Sequence, residues 1–486
     1  MKSGGLPAAL AQHESTAKTA DEKAELLYNM ERGELLRLNR MYPQSTDAYL
    51  LADVKVQQWE EAAKTNPDKL LGSVGAALIS ERLKVYEGQD YEKVWLTTRI
   101  ALNRVAQGDL DLARVDIKRT HEREAVIAEF RAKEISKAEE EAKAKGADAK
   151  GKQLNGYPVE TLNDPEVLAL RNGYSNALSH YLSGFVYEVL GESGLAAPGY
   201  RKAIELKPET AVLEEGLRGL DERSSMMRMR RQTMADVLFV IEAGNAPARK
   251  PKAFTIPVPT GRSIVTASIS YPVIEPSSDR LLTKLDVDGV QLKLERVVDV
   301  NVMARRALKD EMPGMVLRGF TRAVVKAVAQ DQLQQNGGVF GSLLSVAVTV
   351  GSVVTEQADD RIWRMLPGRV YLARGYLPLG EHRLSIDGRP VVDPVKIDGR
   401  YAVVPLRVYE EQVIVGDIGK FGQLQPQVVA TEVPQVVPAP PSKSSPTANV
   451  TKKPKTNAAP PTEKPAMAKP AVNGKAGATD AVNVVK

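Results

Sequence analysis

A multidomain α+β protein is predicted: an N-terminal stack of α-helical repeats, a C-terminal β-rich α+β domain, and a disordered tail rich in proline, alanine and lysine. Three observations predict it. From Asp21 to about Ala243 apolar residues recur at three- and four-residue spacing, as in Leu26, Leu27, Met30, then Leu35, Leu36, Leu38. From Pro247 onward the texture changes to alternating and clustered β-branched residues. Residues 421–486 hold eleven of the thirty prolines, and Phe421 is their only aromatic residue. Such a segment cannot bury enough apolar surface to offset the entropy of ordering.

The chain has 486 residues, enough for two or three domains. Hydrophobic residues make up 43% and charged ones 26%, so most of it is expected to fold. The net charge of +5 is carried by the tail alone: eight lysines between Lys443 and Lys486 against Glu432, Glu463 and Asp480. The remainder is formally neutral, which argues against the basic face of a nucleic-acid binder. There is no cysteine, which excludes disulfides, thiolate catalysis and cysteine-based zinc sites. Residues 1–7 lack the apolar run of an export signal.

In the helical region the prolines at Pro43, Pro67, Pro158, Pro165 and Pro208 are expected between helices, and Pro198 in the first turns of one. Residues 121–156 form an extension of the helical domain, 21–245. Glu122–Lys150 is mostly Ala, Glu, Lys and Arg, a strong helix former with little apolar face. In the second domain, 250–418, strands are expected over Ala253–Pro259, Ser263–Tyr271, Leu285–Val300, Arg369–Arg374, His382–Ile386, Val391–Ile397 and Tyr401–Val415. Asp288-Gly289 is a hairpin-turn signal. A helix is expected over Val302–Gln335, interrupted at Pro313-Gly314. The apolar run Val339–Thr355 is seventeen residues long, at the lower edge for crossing a bilayer, and its flanks carry no basic cluster. It is read as a buried helix of the domain, with membrane insertion as the alternative.

One segment is specific. Gly184 is followed by Tyr187, Ala196, Tyr200, Ala203 and Pro208 at the spacing of a small residue, a ring, an alanine, a ring, an alanine and a terminating proline. This resembles the tetratricopeptide repeat. Gly184 and Ala196 would lie where paired helices cross, Tyr187 and Tyr200 beside the crossing, and Ala203 where the next helix docks. Gly108-Asp109-Leu110-Asp111-Leu112-Ala113 matches the turn and second helix of the same repeat, with Ala101 as its small residue. The stretch from Leu27 through Gly33 to Trp59 has the texture without the spacing.

Several strings are also similar to a family of uncharacterised bacterial envelope proteins with a tetratricopeptide-like front half. They are Tyr91–Val94 leading into Ala101–Asn103 and Gly108–Val115; Ala235–Val237 through Glu242–Pro247; and Ala358–Pro367 followed by Leu377–Gly380. Members of that family look like exported lipoproteins, which implies a periplasmic or outer-membrane-associated location; a cytoplasmic one is the alternative.

No chemistry-bearing motif accompanies this architecture. His13, His121, His180 and His382 lie far apart in sequence, and no phosphate loop or Gly-x-Ser-x-Gly elbow is present. No catalytic, cofactor-binding or metal-binding residues are expected. Arg361, Trp363 and Arg364 form a candidate interaction patch, since Trp and Arg anchor interfaces; the competing reading buries Trp363 and pairs Arg361 with Asp359 or Asp360. The function expected is a non-enzymatic scaffold presenting a concave groove to a protein or peptide partner. A membrane-associated structural component and a cryptic hydrolase are the alternatives. The basic tail reads as solubilising, or as a tether to an anionic membrane or cell-wall surface.

Overall fold

Helices occupy the first half of the chain and then give way to strands, with one long helix among them. The computed structural model describes residues 5–71, 85–145, 157–223, 234–259, 264–336, 358–409 and 412–423. The Val339–Thr355 run and residues 424–486 lie outside them.

The helices are α1 (Gly5–Thr16), α2 (Ala20–Lys23), α3 (Leu26–Leu38), α4 (Tyr42–Thr65), α5 (Pro67–Leu71), α6 (Asp90–Ala106), α7 (Leu110–Lys145), α8 (Pro165–Ala169), α9 (Ala177–Val189), α10 (Ser193–Leu206), α11 (Ala211–Arg218) and α12 (Val300–Asn336). Their starts follow local chemistry. Gln89 and Glu92 form a reciprocal cap on α6. Asn176 caps α9 through the Ser179 amide. Pro43 and Pro165 stand in first turns, where a missing N–H costs nothing. Helix α12 runs unbroken through Pro313, where a break is predicted; it packs against α7 on one side and a β-hairpin on the other.

The strands are β1 (Met234–Ala243), β2 (Lys250–Pro259), β3 (Ile264–Val273), β4 (Lys284–Val287), β5 (Val290–Lys293), β6 (Glu295–Asp299), β7 (Arg369–Pro378), β8 (Gly380–His382), β9 (Leu384–Ile386), β10 (Arg389–Pro390), β11 (Val395–Ile397), β12 (Gly399–Tyr409), β13 (Gln412–Val415) and β14 (Gly419–Gln423). Asp288 and Gly289, both at positive φ, make the tight β4–β5 turn. The main sheet runs β13-β12-β1-β7-β6, with β14 also on β12. Strand β1 pairs parallel with β12 and antiparallel with β7.

Two sequence expectations are corrected here. Helix was expected to about residue 243, yet Met234–Ala243 is the strand at the centre of the sheet. It is buried on both faces, so its apolar residues form a run in which period two is hidden. The tail was expected from residue 421, yet Phe421 pairs with Tyr401 and is buried in the sheet.

Alternation along β1 divides the core. Ala235, Val237, Phe239 and Ile241 pack with Leu285, Val287, Leu384, Ile386 and Ile397 of the small β layer. Leu238 and Val240 join the helical core with Trp95, Tyr181, Phe185 and Tyr200. Residues Met1–Pro426 form one compact unit. Among the described residues no helix is long and apolar enough to cross a membrane.

Candidate functional site

Three helical hairpins, α3–α4, α6–α7 and α9–α10, are built alike. Each turn has a left-handed residue: Arg40, Gly108 and Gly191. In each, the amide of the next residue reaches back into the first helix. Met41 donates to the Leu36 carbonyl at 2.9 Å, Asp109 to Arg104 at 2.9 Å, and Glu192 to Tyr187 at 2.8 Å. This is a Schellman closure, which satisfies carbonyls that the helix end leaves free. Seven residues before each turn residue stands Gly33, Ala101 or Gly184.

These small residues are where the paired helices touch. A Cβ on Gly184 would sit 2.6 Å from the Tyr200 ring, and one on Gly199 would sit 2.6 Å from the Gly184 amide. A Cβ on Gly33 would sit 2.3 Å from the Tyr49 ring. Gly33 precedes Ser45, Tyr49 and Ala52 by the offsets that relate Gly184 to Ala196, Tyr200 and Ala203. The 27–59 stretch therefore carries part of the spacing, counted from Gly33, with Ser45 in place of the first alanine and Leu36 in place of the first ring. Ala101, Ala113, Ala196, Tyr200 and Ala203 are all buried, Tyr187 is partly buried against the same core, and Pro208 is exposed just beyond α10.

The first helices of the hairpins face the chain's own sheet. Glu242 of β1 accepts from Arg99 of α6, from Arg37 of α3 at 3.4 Å and from Arg407 of β12 at 3.3 Å. Glu34 pairs with Arg99 at 3.0 Å and accepts from the Tyr49 hydroxyl at 2.7 Å. Burial alone would raise the Glu242 carboxyl, but Arg99, then Arg37 and Arg407, hold it far below the usual carboxylate range. At the other end of β1, Arg374 of β7 bridges Asp236 at 2.7 Å and Glu188 of α9 at 3.0 Å. Glu188 also binds Arg223 at 2.7 Å and accepts from the Tyr200 hydroxyl at 2.5 Å. Phe185 meets Tyr401 edge-on at 6.2 Å.

The inner face is also filled by the segment before β7. Glu92 accepts from the Trp363 amide at 2.6 Å and from the Tyr86 hydroxyl at 2.5 Å. Glu31 accepts from the Arg364 amide at 2.7 Å and the Met365 amide at 3.3 Å. The second oxygen of Glu31 is sealed from solvent without a partner, and burial pushes its carboxyl up to about 8. Trp363 is 0% exposed and packs against Tyr49 at 5.7 Å. Arg361 pairs with Asp359 at 2.8 Å and lies over the Tyr86 ring. Arg361, Trp363 and Arg364 thus do not share one exposed surface. The groove expected on the inner face is closed by this segment and by the sheet.

Two further features lie elsewhere in the helical layer. His121 of α7 and His180 of α9, distant in sequence, stack with centroids 4.6 Å apart. His180 bonds Glu124 at 3.0 Å, while burial, then His180, pull the His121 imidazole down to about 4. Among the described residues no group of three or more His, Asp or Glu could hold a metal ion. A shallow cavity of about 530 Å³ lies between the α6–α7 turn, the end of α9 and β14, lined by Asp109, Leu190, Lys420 and Phe421 among others.

The outer helices differ. On α4, Leu51 is 56% and Val54 49% exposed, with Leu50 beside them. Leu112 and Val115 of α7 and Leu195 of α10 are exposed as well. Comparison with protein-family models, curated proteins and solved structures gives no match.

Proposed function

We propose that this chain is a non-enzymatic, tetratricopeptide-like protein-interaction scaffold of the bacterial cell envelope, and that it engages its partner through the outer helices. The observation that carries the reading is the contrast between the two faces of the hairpins. The inner face is filled by the chain's own carboxylates, arginines and Trp363. The outer face leaves Leu51 and Val54 in water on α4, with Val115 on α7 and Leu195 on α10. Exposed apolar side chains one helical turn apart, as Leu51 and Val54 are, offer a partner surface that it can bury.

The envelope assignment rests on the resemblance strings, which meet at the seam between helices and sheet. Glu92, in the first string, holds the amide of Trp363, in the third. Glu242, in the second, binds Arg99 of the helix that carries the first. A double variant, Leu51→Glu with Val54→Glu, tests the reading in native cells. Expected is a folded protein, unchanged in melting temperature, that no longer co-purifies with its envelope partner. Undiminished co-purification, or a native protein found only in the cytosolic fraction, would contradict it.

A further inference from the structure

Helix α4 buries one side and leaves the other in water. Tyr49, Ala52, Val56 and Trp59 are buried. On the opposite side Gln44, Asp47, Leu51, Val54, Gln58 and Glu61 are all exposed. They follow one another at intervals of three, four, three, four and three residues. That alternation is the heptad spacing with which one helix lines up along another. No hydrogen bond or ion pair engages the side chains of Gln44, Asp47, Gln58 or Glu61 among the described residues.

Turned end for end, this stripe complements itself. About a twofold axis midway between Leu51 and Val54, Leu51 lies opposite Val54, Asp47 opposite Gln58, and Gln44 opposite Glu61, since the two members of each pair are equally far from the axis. The apolar pair is at the centre. Each carboxylate faces a primary amide, whose N–H groups donate to it. Lys55, exposed three residues before Gln58, brings an ammonium to the same Asp47. A parallel pairing in register would set Asp47 against Asp47 and Glu61 against Glu61, and like charges brought together across an interface are costly.

We propose that the partner met by α4 is a second copy of this chain, whose own α4 packs antiparallel against it along this stripe. The proposal rests on the reading of the outer helices as the partner face and names the occupant of one of them. The reversal symmetry singles out a second copy. A foreign helix has only to match the stripe, and it places no demand on one half of the stripe relative to the other. A copy requires each half to complement the other, as Asp47 and Gln58, or Gln44 and Glu61, do. The contact is isologous, so it closes at two copies. A seam one helix wide belongs to the weak, exchanging class of interface, so copies trade partners in solution.

Sedimentation at high micromolar concentration is expected to show the native chain at twice its 52.9 kDa mass. Leu51→Lys sets a lysine opposite Val54, and Val54→Glu sets a glutamate opposite Leu51. Leu51 is 56% and Val54 49% exposed, so each variant is expected to keep the native melting temperature and to sediment as a monomer. Mixed together, the two are expected to restore the dimer. The new lysine of one copy then faces the new glutamate of the other, while Val54 of the first still faces Leu51 of the second. A parallel pair in register gives no such rescue, because there the new lysine faces Leu51. A monomeric native chain, single variants that still dimerise, or a mixture that stays monomeric would each overturn the proposal. Should a variant fail to fold, a photo-crosslinking amino acid in place of Gln58 decides. Expected is an adduct of twice the chain mass, joined through the peptide that holds Asp47. An adduct with a different protein, or none, overturns the second copy, and the first of these leaves the outer-helix reading standing.

Discussion

The two faces of β1 are both buried, and they are built on opposite terms. Toward the small β layer the strand offers Ala235, Val237, Phe239 and Ile241 and no polar side chain. Toward the helices it offers Leu238 and Val240 between Asp236 and Glu242, each carboxylate held by arginine. Apolar packing rewards any arrangement that fills space. A buried carboxylate tolerates only the arrangement that brings its partners, because an unpaired charge there is costly. The charged ends therefore fix where three separate helical hairpins sit on one sheet.

The largest expected effect comes from breaking that charged side. Glu242→Ala leaves Arg37, Arg99 and Arg407 facing one another around Glu34 alone, and removal of one partner of a buried ion pair costs about 3–5 kcal/mol. On the apolar face, Ile241→Val, one residue away, costs about 0.5–1.5 kcal/mol. Urea unfolding of the two variants measures the difference, and equal losses would mean that the network positions nothing. Next in size is Gly184→Ala. Its added methyl meets the Tyr200 ring, and overpacking of this kind costs about 1–3 kcal/mol. Gly194→Ala, with nothing near its added methyl, is the matched control and should be neutral or slightly stabilising.

A third comparison is read against pH. The Glu31 carboxyl is raised by burial to about 8, so its contribution to stability is present below the ordinary value near 4.5 and is lost as pH rises through about 8. Glu31→Gln keeps the two backbone hydrogen bonds from Arg364 and Met365 and carries no charge. Its melting temperature should fall behind the native protein's by less, or exceed it by more, at each step from pH 5 to about pH 8, and the difference should level off above that. Parallel curves would place the carboxyl in water.

Much of this arrangement was legible in the sequence where chemistry is local. The glycine of the α9–α10 crossing, its ring partner Tyr200 and the turn at Asp288-Gly289 are all signalled by neighbours in the chain. Strand β1 was not, because burial on both faces erases alternation and Asp236 and Glu242 break the apolar run. The equivalence of Gly33 and Tyr49 to Gly184 and Tyr200 was present as a spacing but obscured, since Arg40 stands where the other turns have glycine. The capture of Trp363 by Glu92 and the stacking of His121 on His180 are tertiary meetings, and nothing in either flank announces its partner.

The central claim is that the inner face of the hairpins is spent on the chain's own sheet, so partners meet the outer helices. A photo-crosslinking amino acid introduced at Leu51 in native cells tests it directly, with Val392, which is more exposed but lies in the loop between β10 and β11, as the comparison. The account predicts a discrete adduct from Leu51 and none from Val392. No adduct from Leu51, or the same adducts from both positions, would contradict it.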